Sequence, residues 1–221
     1  MTTSTRPWGA APLRRLRPEL PVLVSAGAAI VLVATLTLAQ RGDEVPLFLT
    51  HVVVLFVAAG PAYLLDDIAE AVTAVVPRSL LRRRLVIVGN GLLIAAVGWA
   101  AVALLLHWRS PSVPLTALTW ETAGLISIGL AASAVASRYG VSEPGNLVAS
   151  ALGLVVVGVL VAQPLLSFTA LITTSDGRPR AGWWATTICA AALAFVITSR
   201  EGGRSRSVSF RRRRDSPAPR A

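Results

Sequence analysis

The residues of this chain that could do chemistry are few and scattered. Asp66, Asp67 and Glu70 stand together in DDIAE. Paired aspartates of this kind can hold Mg²⁺ on a pyrophosphate for metal-assisted transfer to a lipid or isoprenoid. That chemistry needs three or more carboxylates at helical spacing, and only Glu70 adds to the pair. Glu121 is a lone carboxylate about one turn inside an apolar run. At such depth an ionisable group is a functional candidate, though so near the run's end it could also reach outer water. Asn90, Gln163 and Glu121 form a candidate intramembrane polar site. His51 and His107 each stand alone, with no partner at i+4 and no H-E-x-x-H. There is no G-x-x-x-x-G-K-[ST] to cradle a nucleotide and no G-x-S-x-G elbow. LVIVGNG (Leu85–Gly91) imitates a dinucleotide loop, but Ile94 stands where the third glycine belongs. One cysteine, Cys189, excludes intramolecular disulfides and Cys-rich metal sites. These residues predict no catalytic centre, no metal site and no cofactor, and the chain reads as a non-enzyme.

The elements that carry them are apolar. Of 221 residues, 54% are hydrophobic and 14% charged, where a soluble domain carries about a quarter charged. Apolar runs near 20 residues match a hydrocarbon core about 30 Å thick. The expectation is an all-α polytopic membrane bundle with six spans: Leu20–Gln40, Val45–Leu65, Leu85–Leu106, Leu115–Ser137, Leu147–Leu166 and Trp183–Ser199. Residues 1–18 read as a cytoplasmic or interfacial segment, 19–200 as the transmembrane domain and 201–221 as a disordered Arg-rich cytoplasmic tail. The first run imitates a signal peptide, but it is longer than an h-region and reads as a retained span. Pro164 is expected to break the fifth run. Small residues every four positions (Gly129, Ser133, Ser137; Ala149, Gly153) suit close helix packing.

All the basic residues are arginine. With both termini inside, seventeen arginines are cytoplasmic and four are outside, which fixes the orientation as N-in and C-in. Trp108, Trp120, Trp183 and Trp184 then fall at the outer interface. The net charge of +10 follows from the same rule, so the partner it implies is the lipid bilayer and not a nucleic acid. Arg82, Arg83 and Arg84 would anchor the third span at the inner surface.

Between the second and third spans lies DDIAEAVTAVVPRSLLRRR (Asp66–Arg84). Ile68, Val72, Val75 and Val76 share one helical face. Asp66, Asp67 and Glu70 favour the positive end of the helix dipole. Pro77 ends the helix, and Ser79 is placed to cap the next. The segment predicts a short cytoplasmic amphipathic helix.

Six spans with a structured inner segment resemble the permease subunits of ABC-2-type exporters. PAYLLDDIAEAVTAVVPRSLLRRR (Pro61–Arg84) and FVITSREGGR (Phe195–Arg204) are similar to wording in small actinobacterial ABC transporter membrane proteins. The resemblance implies an inner-membrane, multi-pass permease that lacks its own ATPase. It also implies a separate ATP-binding (P-loop ATPase) subunit and a second permease protomer as partners. The inner segment would then be a coupling helix that contacts the ATPase through Asp66, Asp67, Glu70, Val75, Val76 and Pro77. A large outer domain is missing from the pattern, which leaves the substrate open. The rival readings are a small membrane enzyme acting on a lipid or isoprenoid through Asp66, Asp67 and Glu70, and a non-transporting membrane partner or sensor that works through its tail.

Overall fold

The computed structural model describes residues 19–39, 47–66, 80–141, 143–166 and 181–199. Within them the chain is helical throughout, in six α-helices: α1 (Leu20–Ala39), α2 (Leu47–Ala62), α3 (Leu80–Arg109), α4 (Leu115–Arg138), α5 (Pro144–Leu166) and α6 (Ala181–Ser199). A 3₁₀ turn, Tyr63–Leu65, extends α2. Pro61 lies inside the last turn of α2, where its missing N–H removes a helical bond and the chain tightens. Residues 67–79 of the segment expected to form an amphipathic helix, and the Arg-rich tail, lie outside the described residues.

Each helix matches a run of apolar sequence. Five of them are long and apolar enough to cross a membrane: α1, α2 with its 3₁₀ turn, α3, α4 and α6. In α5 the described apolar stretch is Pro144–Val159, short of the roughly 20 residues a bilayer core asks for. The helix itself continues through Pro164 to Leu166, so the expected break at that proline is not there. The 30 residues of α3 rise about 45 Å. Arg82, Arg83 and Arg84 occupy its first turns, and His107 and Arg109 its last, so its charged ends lie beyond a core about 30 Å thick.

Two helices form the inside of the bundle. The spans of α2 and α4 are 61% buried, against 17 to 33% for α1, α3 and α6. α2 packs on α1, α3, α4 and α5, while α4 packs on α2, α5 and α6. The outer faces stay apolar, with Leu38, Val97, Leu104 and Leu154 all more than two-thirds exposed. Bare apolar surface of this extent is unstable against water and at home in lipid. Polar side chains turn inward instead: Thr50, His51, Glu121, Thr122 and Ser133 are all buried. This inverted distribution, with lengths matched to a bilayer, makes the chain a multi-pass membrane protein.

Close approach depends on small residues. A Cβ on Gly60 would run into Ser25 Oγ and lie 3.0 Å from Val22 Cα, so α1 and α2 meet here almost backbone to backbone. Gly124 lies under the Trp184 ring and lets α6 settle onto α4. Trp184 is thereby a core residue, 6% exposed. Trp108 and Trp183, by contrast, are exposed. At the end of α4, Gly140 adopts φ +82°. Its N–H donates to Ser137 O (3.1 Å) and that of Val141 to Ala136 O (3.2 Å), the paired bonds of a Schellman stop.

Gly60→Ala should lower the thermal midpoint of the detergent-solubilised protein. Gly89→Ala, where nothing lies within 4 Å, should hold or raise it, since alanine gains about 1 kcal/mol over glycine in a helix. Differential scanning fluorimetry compares the two, and equal midpoints would remove the close α1–α2 contact.

Candidate functional site

His51 lies just over one turn into α2, and Glu121 six residues into α4. The two helices run parallel, so rises of about 6 and 9 Å from their starts bring both side chains to one depth. His51 Nε2 stands 3.4 Å from Glu121 Oε2, and each side chain is 2% exposed. This is ion-pair distance; the contact itself falls outside hydrogen-bond geometry. With His51 protonated the pair is ionic; with it neutral, a carboxylate faces the imidazole edge. Either way, a carboxylate this far from water needs such a neighbour, because burial strongly disfavours a lone charge. Thr50 and Thr122 are buried on either side, and Thr122 Oγ1 returns its hydrogen to Leu118 O at 2.7 Å.

Glu121 also lines a cleft of about 590 Å³. Its floor is α4 and its walls are α5 and α6. Leu125, Ile128 and Ala132 continue the floor, Ala151 and Val155 face in from α5, and Trp183, Trp184 and Thr187 from α6. Apart from Glu121 and Thr187 the lining is apolar.

At the opposite end, α2 and α5 are joined by one side chain. Asp66, at the end of the 3₁₀ turn, accepts the Gly145 N–H on Oδ1 at 2.6 Å, and the Asn146 N–H also bonds it. Gly145 opens α5, whose first N–H groups have no partner within the helix. Asp66 therefore caps α5 from another helix, and its charge suits the positive end of the dipole. Gly145 permits the approach: a Cβ there would lie 2.6 Å from Tyr63 Cα and 2.7 Å from Ala62 O. Burial pushes the Asp66 carboxyl above the ordinary value of 3.8; the two backbone N–H bonds pull it down and Glu143 adds to the rise.

Glu121 is thus buried and paired, and of the two readings its position left open, the one that has it reach outer water does not fit its burial. His51, which sequence reading left isolated, is its partner. The signal that could have joined them was depth, since each sits about a turn inside the same end of its apolar run. Asn90, expected near Glu121, lies on the exposed side of α3 and donates to Glu19 Oε1 at 3.3 Å. Gln163 lies in α5, its side chain outside the described residues. Arg84 donates to Ser137 Oγ at 3.1 Å, tying α3 to the end of α4. The side chains of Arg82 and Arg83 are outside the described residues, as are Asp67, Glu70, Val75, Val76 and Pro77. Asp66 faces back into the bundle. Among the described residues no three His, Cys, Asp or Glu side chains converge as metal ligands would.

These features define a class, an all-helical multi-pass membrane protein with a buried carboxylate–imidazole pair beside an apolar cleft. Comparison with known protein families, characterised proteins and solved structures gives no match that would narrow it.

A double-mutant cycle with His51→Ala and Glu121→Ala should give a coupling of about 1–3 kcal/mol in unfolding free energy. Strict additivity would mean the two groups do not support each other. Asp66 makes a second prediction. A carboxyl that binds its proton more tightly folded than unfolded stabilises the fold at low pH. That contribution is complete below its ordinary value of 3.8 and is lost as pH rises through the raised folded value. Asp66→Asn keeps an oxygen for the Gly145 N–H and removes the titration. From about pH 4 towards pH 7, its thermal midpoint should rise relative to that of the parent; a gap independent of pH would show that Asp66 ionises without cost.

Proposed function

We propose that this chain is a six-span, N-in and C-in permease subunit of an ATP-driven exporter. It carries no ATPase and works with a separate P-loop ATP-binding subunit and a second permease protomer in the cytoplasmic membrane. The observation that carries a transport role is the His51–Glu121 pair, buried between the two innermost helices. Ionisable groups inside spans are expensive and mark substrate or ion pathways. The arginine distribution and the wording of Pro61–Arg84 support the orientation and the family reading. α5 completes the six as the fifth span in chain order, its apolar run extended by the residues up to Leu166.

The Asp66 join supports a mechanical role for the inner segment. Asp66 is the last described residue before that segment, and its carboxylate grips the start of α5, a wall of the cleft. A push on the segment from an ATPase would therefore reach α2 and α5 together. For the rival metal-transfer chemistry, a metal at Asp66 would have to share the carboxylate with the two backbone N–H groups of α5 that it holds.

The test is affinity purification of the tagged full-length chain from its own cells in mild detergent. A P-loop ATPase should co-purify at a fixed ratio, and Asp67→Ala with Glu70→Ala should release it while the chain's thermal midpoint holds. Recovery of the chain without any ATPase would overturn the permease reading.

A further inference from the structure

α5 is held differently at its start and along its length. Its first turn is locked. Asp66 Oδ1 accepts the Gly145 N–H at 2.6 Å, and a Cβ on Gly145 would lie 2.6 Å from Tyr63 Cα, so the two backbones touch. The connection back to α4 spans only residues 139–143 and opens on the Schellman bonds of Gly140 and Val141. Little slack is left at that end.

Beyond the first turn α5 is held by one stripe. Val148, Leu152 and Val156 recur every four residues and are buried, in the core that α5 shares with α2 and α4. The other faces carry Leu147, Leu154, Val155, Val157 and Val161, all exposed. Gly153 and Gly158 meet nothing within 4 Å. Among the described residues, α5 makes no hydrogen bond to a neighbouring helix other than those to Asp66. Across the cleft, α6 is seated on α4 through Trp184 and Gly124 and does not pack extensively on α5.

Apolar packing alone is a weak restraint in a bilayer, because lipid tails replace helix contacts at little cost. A helix with a polar, backbone-close lock at one end and apolar contact along one side can turn about the lock. From Gly145 to Val161 α5 rises about 24 Å, so a tilt of about 10° carries Val161 about 4 Å. That is the thickness of a hydrocarbon chain, set against a cleft of about 590 Å³.

We propose that α5 is a moving wall: it pivots as a rigid rod on the Asp66–Gly145 join, and its tilt sets the width of the cleft against α6. Hinge motions of this kind turn on a few residues at the end of an element. The pivot deepens the transport reading by naming the part that moves, and rests on that reading for its purpose; the motion itself is a property of this chain alone.

The test takes Cys189, the sole cysteine and exposed on α6, as a fixed spin-label site in the full-length chain in nanodiscs. A second label goes in turn on Leu147→Cys, Leu154→Cys and Val161→Cys, three exposed positions along α5. Double electron–electron resonance reads the three distance distributions. For a rigid rod the spread grows with distance from the pivot, so the excess width over the Leu147 pair should be about two-fold larger at Val161 than at Leu154. Asp66→Ala loosens the pivot and should widen the Leu147 pair to match the Leu154 pair of the unmutated background. Equal widths at all three positions would overturn the proposal, since α5 would then be fixed along its whole length. So would widening confined to Val161, the mark of a fraying helix end, or a Leu147 pair that stays narrow in Asp66→Ala. The three-position series stands even if Asp66→Ala fails to fold. It also stands whatever co-purifies, so loss of the ATPase reading and loss of the pivot are separate results.

Discussion

A carboxylate that can reach neither water nor headgroups must find its compensation among helices, and Glu121 finds it in His51. The pair sets α2 and α4 side by side at a fixed depth, because sliding either helix by one residue would move one group about 1.5 Å off its partner. Van der Waals packing between apolar helices is forgiving of such slips in a bilayer, where lipid competes on equal terms. A buried carboxylate–imidazole contact is not. The two helices it registers are the two that bury most of their surface, so the remaining four are placed by reference to them.

The rest of the bundle is assembled on this pair by contacts that substitute backbone for side chain. α1 comes down on α2 at Gly60, α6 comes down on α4 at Gly124, and α5 meets the end of α2 at Gly145. None of these contacts is strongly polar except the last, where Asp66 satisfies N–H groups that would otherwise face an apolar surround. The cleft is what remains when α5 and α6 are both seated on α4 by different devices and not brought together. Its existence thus follows from how the helices are held, and its one charged end follows from where α4 must carry Glu121.

Much of the architecture could be read from the chain. Apolar runs of bilayer length, separated by short polar stretches, fix helix positions to within a few residues, because nothing else satisfies backbone groups in hydrocarbon. The stop of α4 before Gly140 is a local signal as well. Partnerships were less legible. Which faces of parallel helices meet depends on rotation about each axis, and a uniformly apolar helix carries little record of that rotation. His51 therefore looked isolated, and nothing local told that Trp184 packs on Gly124, though depth alone would have matched His51 to Glu121. Asp66 looked like the first residue of a cytoplasmic helix because its neighbour Asp67 and its spacing to Glu70 fit that pattern. Its engagement with a helix start 79 residues away has no local signature at all.

That long-range join bears on how the molecule is built. During synthesis the Asp66 side chain leaves the ribosome well before Gly145 exists, so α5 enters a membrane in which its cap is already waiting. Its first turn has no side chain of its own type to close it, since Glu143 and Pro144 precede Gly145 and neither caps its N–H. The stability of α5 is therefore borrowed from the earlier half of the chain, and the two halves are not independent folding units even though two long helices, α3 and α4, separate them.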